Sequence, residues 1–300
     1  MLLSILRDAW RGHRALMLLA AACLPCAFVV LLLGLFDART ITGAPAWNKP
    51  LKFFLSAAVY ASTFAWYLAQ WPAASARWAR LRAALGWTVA VMLAVELVLI
   101  AVQAWRGVPS HFNVATAIDA LIFNVMGLAI ATLSVAHAVL WVLLLRTDWP
   151  DRPLLSACRW GAGVSLAGLM VGALMVVPTA PQLAQARAGS GLPVAGAHTV
   201  GRPDGGPGLP FLGWSVEAGD RRVPHFIGLH AMQAVPLALL VATWARPRSR
   251  KAVATVAGVA CALLTAAVLA QAEAARPFWP GGGAERVDRA GPAAAGQGVP

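Results

Sequence analysis

Seven apolar stretches, each long enough to cross a bilayer as a helix, constrain the fold of this chain more than any other feature. They lie at about 15–36, 51–71, 84–105, 114–145, 159–177, 224–245 and 252–276. Crossing the hydrocarbon core takes about 20 apolar residues as a helix, because an unpaired backbone polar group costs several kcal/mol in lipid. Only 12% of the residues are charged, whereas soluble proteins average roughly 25%. The sequence therefore predicts an all-α polytopic transmembrane helix bundle of about seven helices, surrounded by the lipid bilayer.

The placement of Lys and Arg predicts the orientation of this bundle. If the N-terminus is cytoplasmic, 13 of the 24 basic residues fall in the short connections on the inner side. Cytoplasmic loops carry an excess of Lys and Arg, so the chain is predicted to be N-in and C-out. Topology then accounts for much of the net charge of +12, and no DNA- or RNA-binding motif accompanies that charge. We therefore expect no nucleic acid partner.

The remaining organisation is simple. Residues 1–276 are predicted to form one bundle that includes a long outer loop at 178–223, rich in Gly and Pro. The tail at 277–300 has the composition of a disordered segment. The first apolar stretch follows basic residues as a signal sequence does. It is long, however, and no small-residue cleavage site follows it, so we interpret it as a signal anchor.

Three of the predicted helices begin on the outer side beside a proline, at Pro50, Pro109 and Pro224. Proline is favoured in the first helical turn, where its missing N–H costs nothing. Three positive helix-dipole ends would then face outward, and helix N-termini with added cations form anion sites. The basic residues around them are Lys49, Lys52, Arg106, Arg221 and Arg222. Basic side chains at helix ends also snorkel to lipid phosphates, and this alternative stays open.

Four histidines, His111, His198, His225 and His230, lie on the outer side or in the outer half of the predicted helices. Imidazoles can ligate a metal or haem or relay protons. His225 and His230 are five residues apart, which is about 140° around a helix and poor spacing for two ligands. A metal or haem cofactor using these four candidates is therefore open but not favoured. The alternative is a set of hydrogen-bonded structural histidines.

Glu96 and Asp119 lie inside the third and fourth apolar stretches. An ionisable group at such depth is expensive and is expected to have a partner and a function. Arg106 is on the same predicted helix as Glu96 but about 15 Å along it. We therefore expect Lys52 to be the partner of Glu96, because the second stretch begins on the outer side and a lysine side chain can extend inward. A purely structural pair, or a protonated carboxyl group, is the alternative.

These polar residues are predicted to converge on one outward-opening cavity, with the outer loop folded over it. Glycine in the segment GAHTVG and in the residues after it permits tight turns and close approach to a ligand. The predicted ligand-binding residues are Lys49, Lys52, Glu96, Gln103, Arg106, His111, Asn113, Asp119, His198, Asp204, Asp220, Arg221, His225, His230 and Gln233.

Several segments resemble a family of bacterial multi-pass inner-membrane proteins with no assigned activity. The segments are WNKPLKF at 47–53, RGVPSHFN at 106–113, GAHTVG at 196–201, DGGPGLP at 204–210 and GDRRVPHFIGLHAMQ at 219–233. The resemblance covers most of the chain up to the last helix. It implies a multi-pass protein of the bacterial cell inner membrane whose outer side is periplasmic. It implies no catalytic residues.

Two function classes follow from these observations. In the first, the protein binds or transports an anionic solute or lipid headgroup through its basic helix ends. In the second, it is a membrane-embedded enzyme or redox protein with a histidine-based metal or haem site. The first is preferred, because the cationic helix ends form a more coherent pattern than the histidine spacing. The sequence predicts no particular catalytic residue.

Overall fold

The computed structural model describes residues 2–71, 75–245, 247 and 249–280. These residues are mainly helical, with two short antiparallel strand pairs: β1 (Thr40–Ile41) with β2 (Ala44–Pro45), and β3 (Thr199–Val200) with β4 (Gly219–Asp220). A 3-10 turn at Thr243–Ala245 extends the eighth helix. The helices are α1 (Leu2–Gly12), α2 (Arg14–Phe36), α3 (Asn48–Ala69), α4 (Ala76–Arg106), α5 (Ala117–Arg146), α6 (Arg152–Met175), α7 (Ala180–Arg187), α8 (Arg222–Ala242) and α9 (Arg250–Glu273).

Six helical segments among the described residues are long and apolar enough to cross a membrane. They are Arg14–Phe36, Ala76–Arg106, Ala117–Arg146, Arg152–Arg187, Arg222–Ala245 and Arg250–Glu273. The chain is therefore a helical multi-pass membrane protein. The predicted second span corresponds to α3, which is not among the six; polar residues such as Lys49 and Lys52 lower its mean hydropathy. The count of seven spans remains a prediction.

The helices pack as two groups that meet along α5. In the first group, α3 packs against α2 and α4, and α4 packs against α5. In the second, α6, α8 and α9 pack against one another. One close approach is between α6 and α8, where a Cβ atom added to Gly168 would lie only 2.8 Å from the Cα atom of Gly228. Small residues at such a crossing let two helix backbones come into contact.

The two ends of the bundle differ in how tightly they are packed. We call the end where α2, α4, α6 and α9 finish and α3, α5 and α8 begin the loop end. The largest apolar cluster fills the opposite half, with Phe64, Leu140, Leu155 and Met232 fully buried. The hydroxyl of Tyr67 donates a hydrogen bond of 2.9 Å to the carbonyl of Met232 and joins α3 to α8 there. The bundle is thus closed in the opposite half, and the helices of the loop-end half surround a cavity.

Residues 176–221, here called the long loop, fold back over the loop end. The N–H of Ala197 donates to the carbonyl of Met175 at 2.9 Å, and that of Ala195 donates to Phe112 at 2.8 Å. The β3–β4 pair then connects the middle of the loop to the residues just before α8. These contacts hold the long loop against the ends of α4, α5 and α6.

Two predictions about segment ends need separate comment. Pro109 does not begin a helix, because α5 starts at Ala117 with Thr116 as its N-cap. Pro50 and Pro224, by contrast, lie in the first turns of α3 and α8. The predicted disordered tail lies outside the described residues from 281 onward.

Candidate functional site

A cavity of about 1970 Å³ occupies the loop end of the bundle. Residues of α3, α4, α5, α6 and α8 form its sides, and residues of the long loop cover it. Most of its wall is apolar, with Leu93, Met126, Leu169 and Phe226 among the lining residues. Polar side chains are concentrated near the long loop, so the cavity has one polar part and one apolar part.

Ten of the fifteen predicted ligand-binding residues line this cavity. They are Lys49, Lys52, Glu96, His111, Asn113, His198, Asp204, His225, His230 and Gln233. Arg222 also lines it and was not in the predicted ligand-binding set. Its position beside the start of the sixth apolar stretch, among basic residues on the outer side, was the signal that could have placed it there.

Glu96, His111 and Lys49 form a chain of contacts at the wall between α3 and α4. Nε2 of His111 lies 3.3 Å from Oε1 of Glu96, and Nζ of Lys49 lies 3.0 Å from Nδ1 of the same imidazole. An ammonium group only donates, so Nδ1 accepts and Nε2 carries the proton, facing Glu96. Glu96 is 2% exposed, and its oxygens make no well-aligned hydrogen bond among the described residues. The carboxyl group is therefore held by the imidazole rather than by a network.

Lys52 is not the partner of Glu96 that the sequence predicted. Its Nζ donates a hydrogen bond of 2.9 Å to the carbonyl of Leu212 in the long loop. The imidazole that approaches Glu96 comes instead from His111, in the connection between α4 and α5. The sequence could not predict the contact between His111 and Glu96, because the conformation of the α4–α5 connection depends on the long loop that packs against it.

His198 and Asp204 form a second polar pair, on the long loop. Nδ1 of His198 lies 2.9 Å from Oδ2 of Asp204, and Asp204 also accepts the backbone N–H groups of His198 and Thr199. The carboxylate therefore fixes both the loop and the ring. The ring also packs on Phe112 at 4.8 Å between centroids. Phe112 has a φ of +64°, an unusual conformation for a bulky residue that places it between the two polar pairs.

The electrostatic surroundings favour a neutral His198 and an ionised Asp204. Burial and, to a smaller extent, the positive charges of Arg222 and Lys49 lower the pKa of His198 to about 4, although Asp204 acts in the opposite direction. Burial alone would raise the pKa of Asp204, but hydrogen bonds from His198 and Thr199 hold that pKa below its usual range. At neutral pH the Nδ1–H of His198 therefore donates to the carboxylate. Nothing hydrogen-bonds to Nε2 among the described residues.

The two histidines of α8 both use Nδ1 to donate to backbone carbonyls. His225 donates to Gly168 of α6 at 2.7 Å, and His230 donates to Phe226 of its own helix at 2.8 Å. Gln233, one turn further on, donates to the hydroxyl of Thr63 at 3.2 Å. The four cavity histidines are therefore oriented by separate partners. Across the described residues, no group of three or more His, Cys, Asp or Glu side chains is placed to hold a metal ion.

The other five predicted residues lie at the loop end but not in the cavity wall. Asp119 accepts hydrogen bonds from Arg106 at 2.6 Å and Gln103 at 3.0 Å, and this network joins the end of α4 to the start of α5. Arg221 pairs with Glu273 of α9 at 2.7 Å. Asp220 pairs with Arg222 behind the wall, as described below. The position of a residue along the chain does not give the direction of its side chain, so the sequence could not separate these five residues from those in the wall.

Comparison with known protein families, with curated proteins and with solved structures finds no match to this chain. The six long apolar helices among its described residues place it in the class of helical multi-pass membrane proteins.

Proposed function

We propose that the protein binds or transports an anionic amphiphile, with the anionic headgroup in the polar part of the cavity and the apolar chain in the rest. The observation that carries this proposal is the placement of Lys49, Lys52 and Arg222 at one part of a large cavity whose remaining wall is apolar.

The two lysines are available to an anion. Lys49 contacts the imidazole of His111, and Lys52 donates to the carbonyl of Leu212. Neither lysine is within salt-bridge distance of a carboxylate in the described part of the chain, although the buried Glu96 stands behind His111. Hydrogen bonds from a cation to a phosphate or carboxylate are among the strongest that proteins form. Each lysine would therefore form a stronger hydrogen bond with an incoming anion than it forms with its present neutral acceptor.

The size and openings of the cavity support an amphiphile over a small soluble anion. Pockets for drug-sized ligands measure about 300–1,000 Å³, whereas this cavity measures about 1970 Å³. Leu55 and Val59 of α3 and Phe226 of α8 line the cavity and are also more than 40% exposed at the surface of the bundle. Within this proposal, the cavity is reached from the side of the bundle between α3 and α8. In a membrane, this opening would admit an alkyl chain from the lipid.

The proposal includes a topology of seven spans, with α3 as the seventh. This helix has 22 residues, about 33 Å at 1.5 Å per residue, which is enough to cross the hydrocarbon core. It packs between two helices that are themselves apolar enough to span. Seven spans place the two termini on opposite sides of the membrane, and the excess of Lys and Arg in the short connections then places the N-terminus in the cytoplasm. In this proposal the long loop lies in the periplasm of a bacterial cell whose inner membrane holds the protein.

Cysteine accessibility tests this topology. In a variant without the four native cysteines, a single cysteine at Gly206 in the long loop should react with an impermeant maleimide in intact cells. Single cysteines at Arg80 and Lys251 should react only after the membrane is permeabilised, because both lie at the opposite end of the bundle. Labelling of residues 80 or 251 in intact cells would overturn the orientation.

Removing a cavity cation tests the ligand proposal. Replacement of Lys52 by Gln should weaken binding of phosphatidic acid by about 10- to 100-fold, since hydrogen bonds to charged groups contribute about 1.5–3 kcal/mol. Binding is measured by native mass spectrometry of the purified protein with phosphatidic acid, phosphatidylcholine or inorganic phosphate. The matched control is Lys251→Gln, a lysine exposed at the opposite end. Equal binding of phosphatidylcholine and phosphatidic acid would contradict the proposal.

A second function class is favoured by one specific observation, the His198–Asp204 pair at the same cavity. An imidazole with one nitrogen on a carboxylate and the other free is an arrangement that hydrolases and transferases use. In this interpretation the protein is a membrane-embedded enzyme whose cavity holds the substrate.

A further inference from the structure

The free nitrogen of His198 has the features of a nucleophile. Its ring lines the cavity, its side chain is 23% exposed, and its Nδ1–H is directed at Asp204. The carboxylate fixes the tautomer, so the lone pair resides on Nε2. A pKa of about 4 keeps the ring neutral near pH 7, because of burial and of the neighbouring charges of Arg222 and Lys49. An oriented neutral imidazole can act as a base or form a covalent bond to an electrophile.

The cations that line the cavity with His198 could stabilise the negative charge of a phosphoryl group during its transfer. The transferring phosphoryl group spreads negative charge over three oxygens, and catalysis consists mainly of positioning it and stabilising that charge. Lys49, Lys52 and Arg222 line the same cavity as His198. The positive charges of Lys49 and Arg222 both lower the pKa of the His198 imidazole. A carboxylate ligand would use these cations equally well, but it would give an imidazole nucleophile no phosphorus to attack.

Lys49 is placed to supply the proton that a leaving oxygen needs. One N–H of its ammonium group is directed at Nδ1 of His111, and the other two remain for the cavity. Behind His111 stands the buried carboxyl group of Glu96. The imidazole of His111 lies between Lys49 and this carboxyl group, with one ring nitrogen facing each of them.

We propose that the ligand is a phosphate monoester of an amphiphilic alcohol and that His198 removes its phosphoryl group. Nε2 of His198 forms a bond to phosphorus as the bond from phosphorus to the ester oxygen breaks. The electron pair of that bond goes to the leaving oxygen, which takes a proton from the ammonium group of Lys49. The products are the free alcohol and a phosphohistidine at residue 198. This inference rests on the proposed function, because it uses the same cavity and the same cations.

Water completes the cycle. Its oxygen bonds to phosphorus while the bond between phosphorus and Nε2 breaks and returns its electron pair to the imidazole. The proton released by water goes to the neutral amine of Lys49. The net reaction is phosphate monoester plus water to alcohol plus inorganic phosphate. Asp204 is a positioning residue in both steps, since it directs Nε2 to the cavity and offsets the positive charge of the phosphorylated ring.

The test is phosphoenzyme formation with phosphatidic acid carrying a ³²P phosphate. The purified full chain in lipid nanodiscs should release inorganic phosphate and carry a label that is labile to acid and stable to base. His198→Asn should abolish the label, and Asp204→Asn should slow its formation by about 100-fold or more, as expected when the carboxylate that fixes the imidazole tautomer is lost. The matched control Asp148→Asn alters an exposed carboxylate at the opposite end and should label normally.

Binding of the same lipid separates this inference from the proposed function. His198→Asn should still bind phosphatidic acid within about 3-fold of the unchanged protein, because the cations remain, and this also shows that the variant folds. Binding without any label or phosphate release in the unchanged protein would overturn the inference and leave the proposed function standing. Loss of binding in the unchanged protein would overturn both.

Two further measurements identify the phosphorylated residue and the class of substrate. Mass spectrometry of the digested phosphoprotein should place the phosphate on His198, and a phosphate on His111 or His225 would overturn this assignment. p-Nitrophenyl phosphate, which lacks an alkyl chain, should be hydrolysed at least 10-fold less efficiently than phosphatidic acid. Equal efficiency with the soluble ester would contradict the amphiphilic substrate.

Discussion

Substitution of Asp220 by Ala is expected to lower the free energy of unfolding of the long loop by about 3 kcal/mol, the lower end of the range for breaking a buried ion pair. The carboxylate side chain is 0% exposed and lies 2.6 Å from Nη2 of Arg222. It also accepts the backbone N–H groups of Ser215 and Arg222, so it joins the long loop to the start of α8. Its removal leaves a partly buried guanidinium without its carboxylate. The measurement is the rate of limited proteolysis within the long loop.

The exposed pair of Arg202 and Glu217 provides the control for this prediction. It lies in the same loop, with a contact of 2.8 Å, and Glu217→Gln should cost less than about 1 kcal/mol, as is usual for surface ion pairs. A double variant, Asp220→Ala with Arg222→Gln, should be less unstable than the sum of the single changes, because no charge is then left unpaired. Proteolysis of Asp220→Ala at the rate of Glu217→Gln would show that the buried pair does not hold the loop.

Replacement of Gly168 by Leu is expected to destabilise the bundle by at least about 3 kcal/mol, at the upper end of the range for an overpacked contact. The added side chain would meet the backbone of α8 and not a flexible side chain, so neither helix can move aside locally. The change would also disturb the hydrogen bond from His225 to the carbonyl of residue 168. In a thermal unfolding experiment in detergent, the midpoint should fall by about 5–10 °C.

Gly127 is the matched control on a neighbouring helix. A Cβ atom at that position meets nothing within 4 Å, and the residue is exposed. Gly127→Leu should therefore change the midpoint by no more than about 2 °C, since surface changes usually stay within ±0.5 kcal/mol. A similar loss in both variants would mean that the crossing of α6 and α8 is not the tight contact described here.

Much of the helical architecture could be predicted from apolar length alone. The stretches that became α2, α4, α5, α6, α8 and α9 are uniformly apolar over about 20 residues, and in lipid such a segment has no alternative to a helix. Two short helices, α1 and α7, were not predicted, because 11 and 8 residues give too few apolar positions to stand out. Mean hydropathy does not identify α3 as a span, because polar residues of this helix line the cavity.

The sequence predicted at which end of the bundle the candidate site lies, but not which side chains at that end face the cavity. Basic residues beside the starts of α3 and α8 indicated which end of the bundle would be polar, and Lys49 and His225 do line the cavity there. Arg106 and Asp119 lie at the same level yet bond to each other across the α4–α5 connection. The contact between Glu96 and His111 depends on how that connection is folded, which apolar periodicity does not determine.

The hydrogen bonds from Lys52 to Leu212 and from Arg222 to Gly213 have a consequence for selectivity. Two neighbouring peptide carbonyls already occupy these donors, so under the proposed function anion binding is an exchange of acceptors and not a simple addition. Each entering ligand is compared with a peptide oxygen at the same ammonium or guanidinium group. Weakly accepting anions such as chloride gain little from that exchange, whereas phosphate oxygens gain much. A ligand is therefore selected only if it accepts hydrogen bonds from these cations more strongly than the two peptide carbonyls that it displaces.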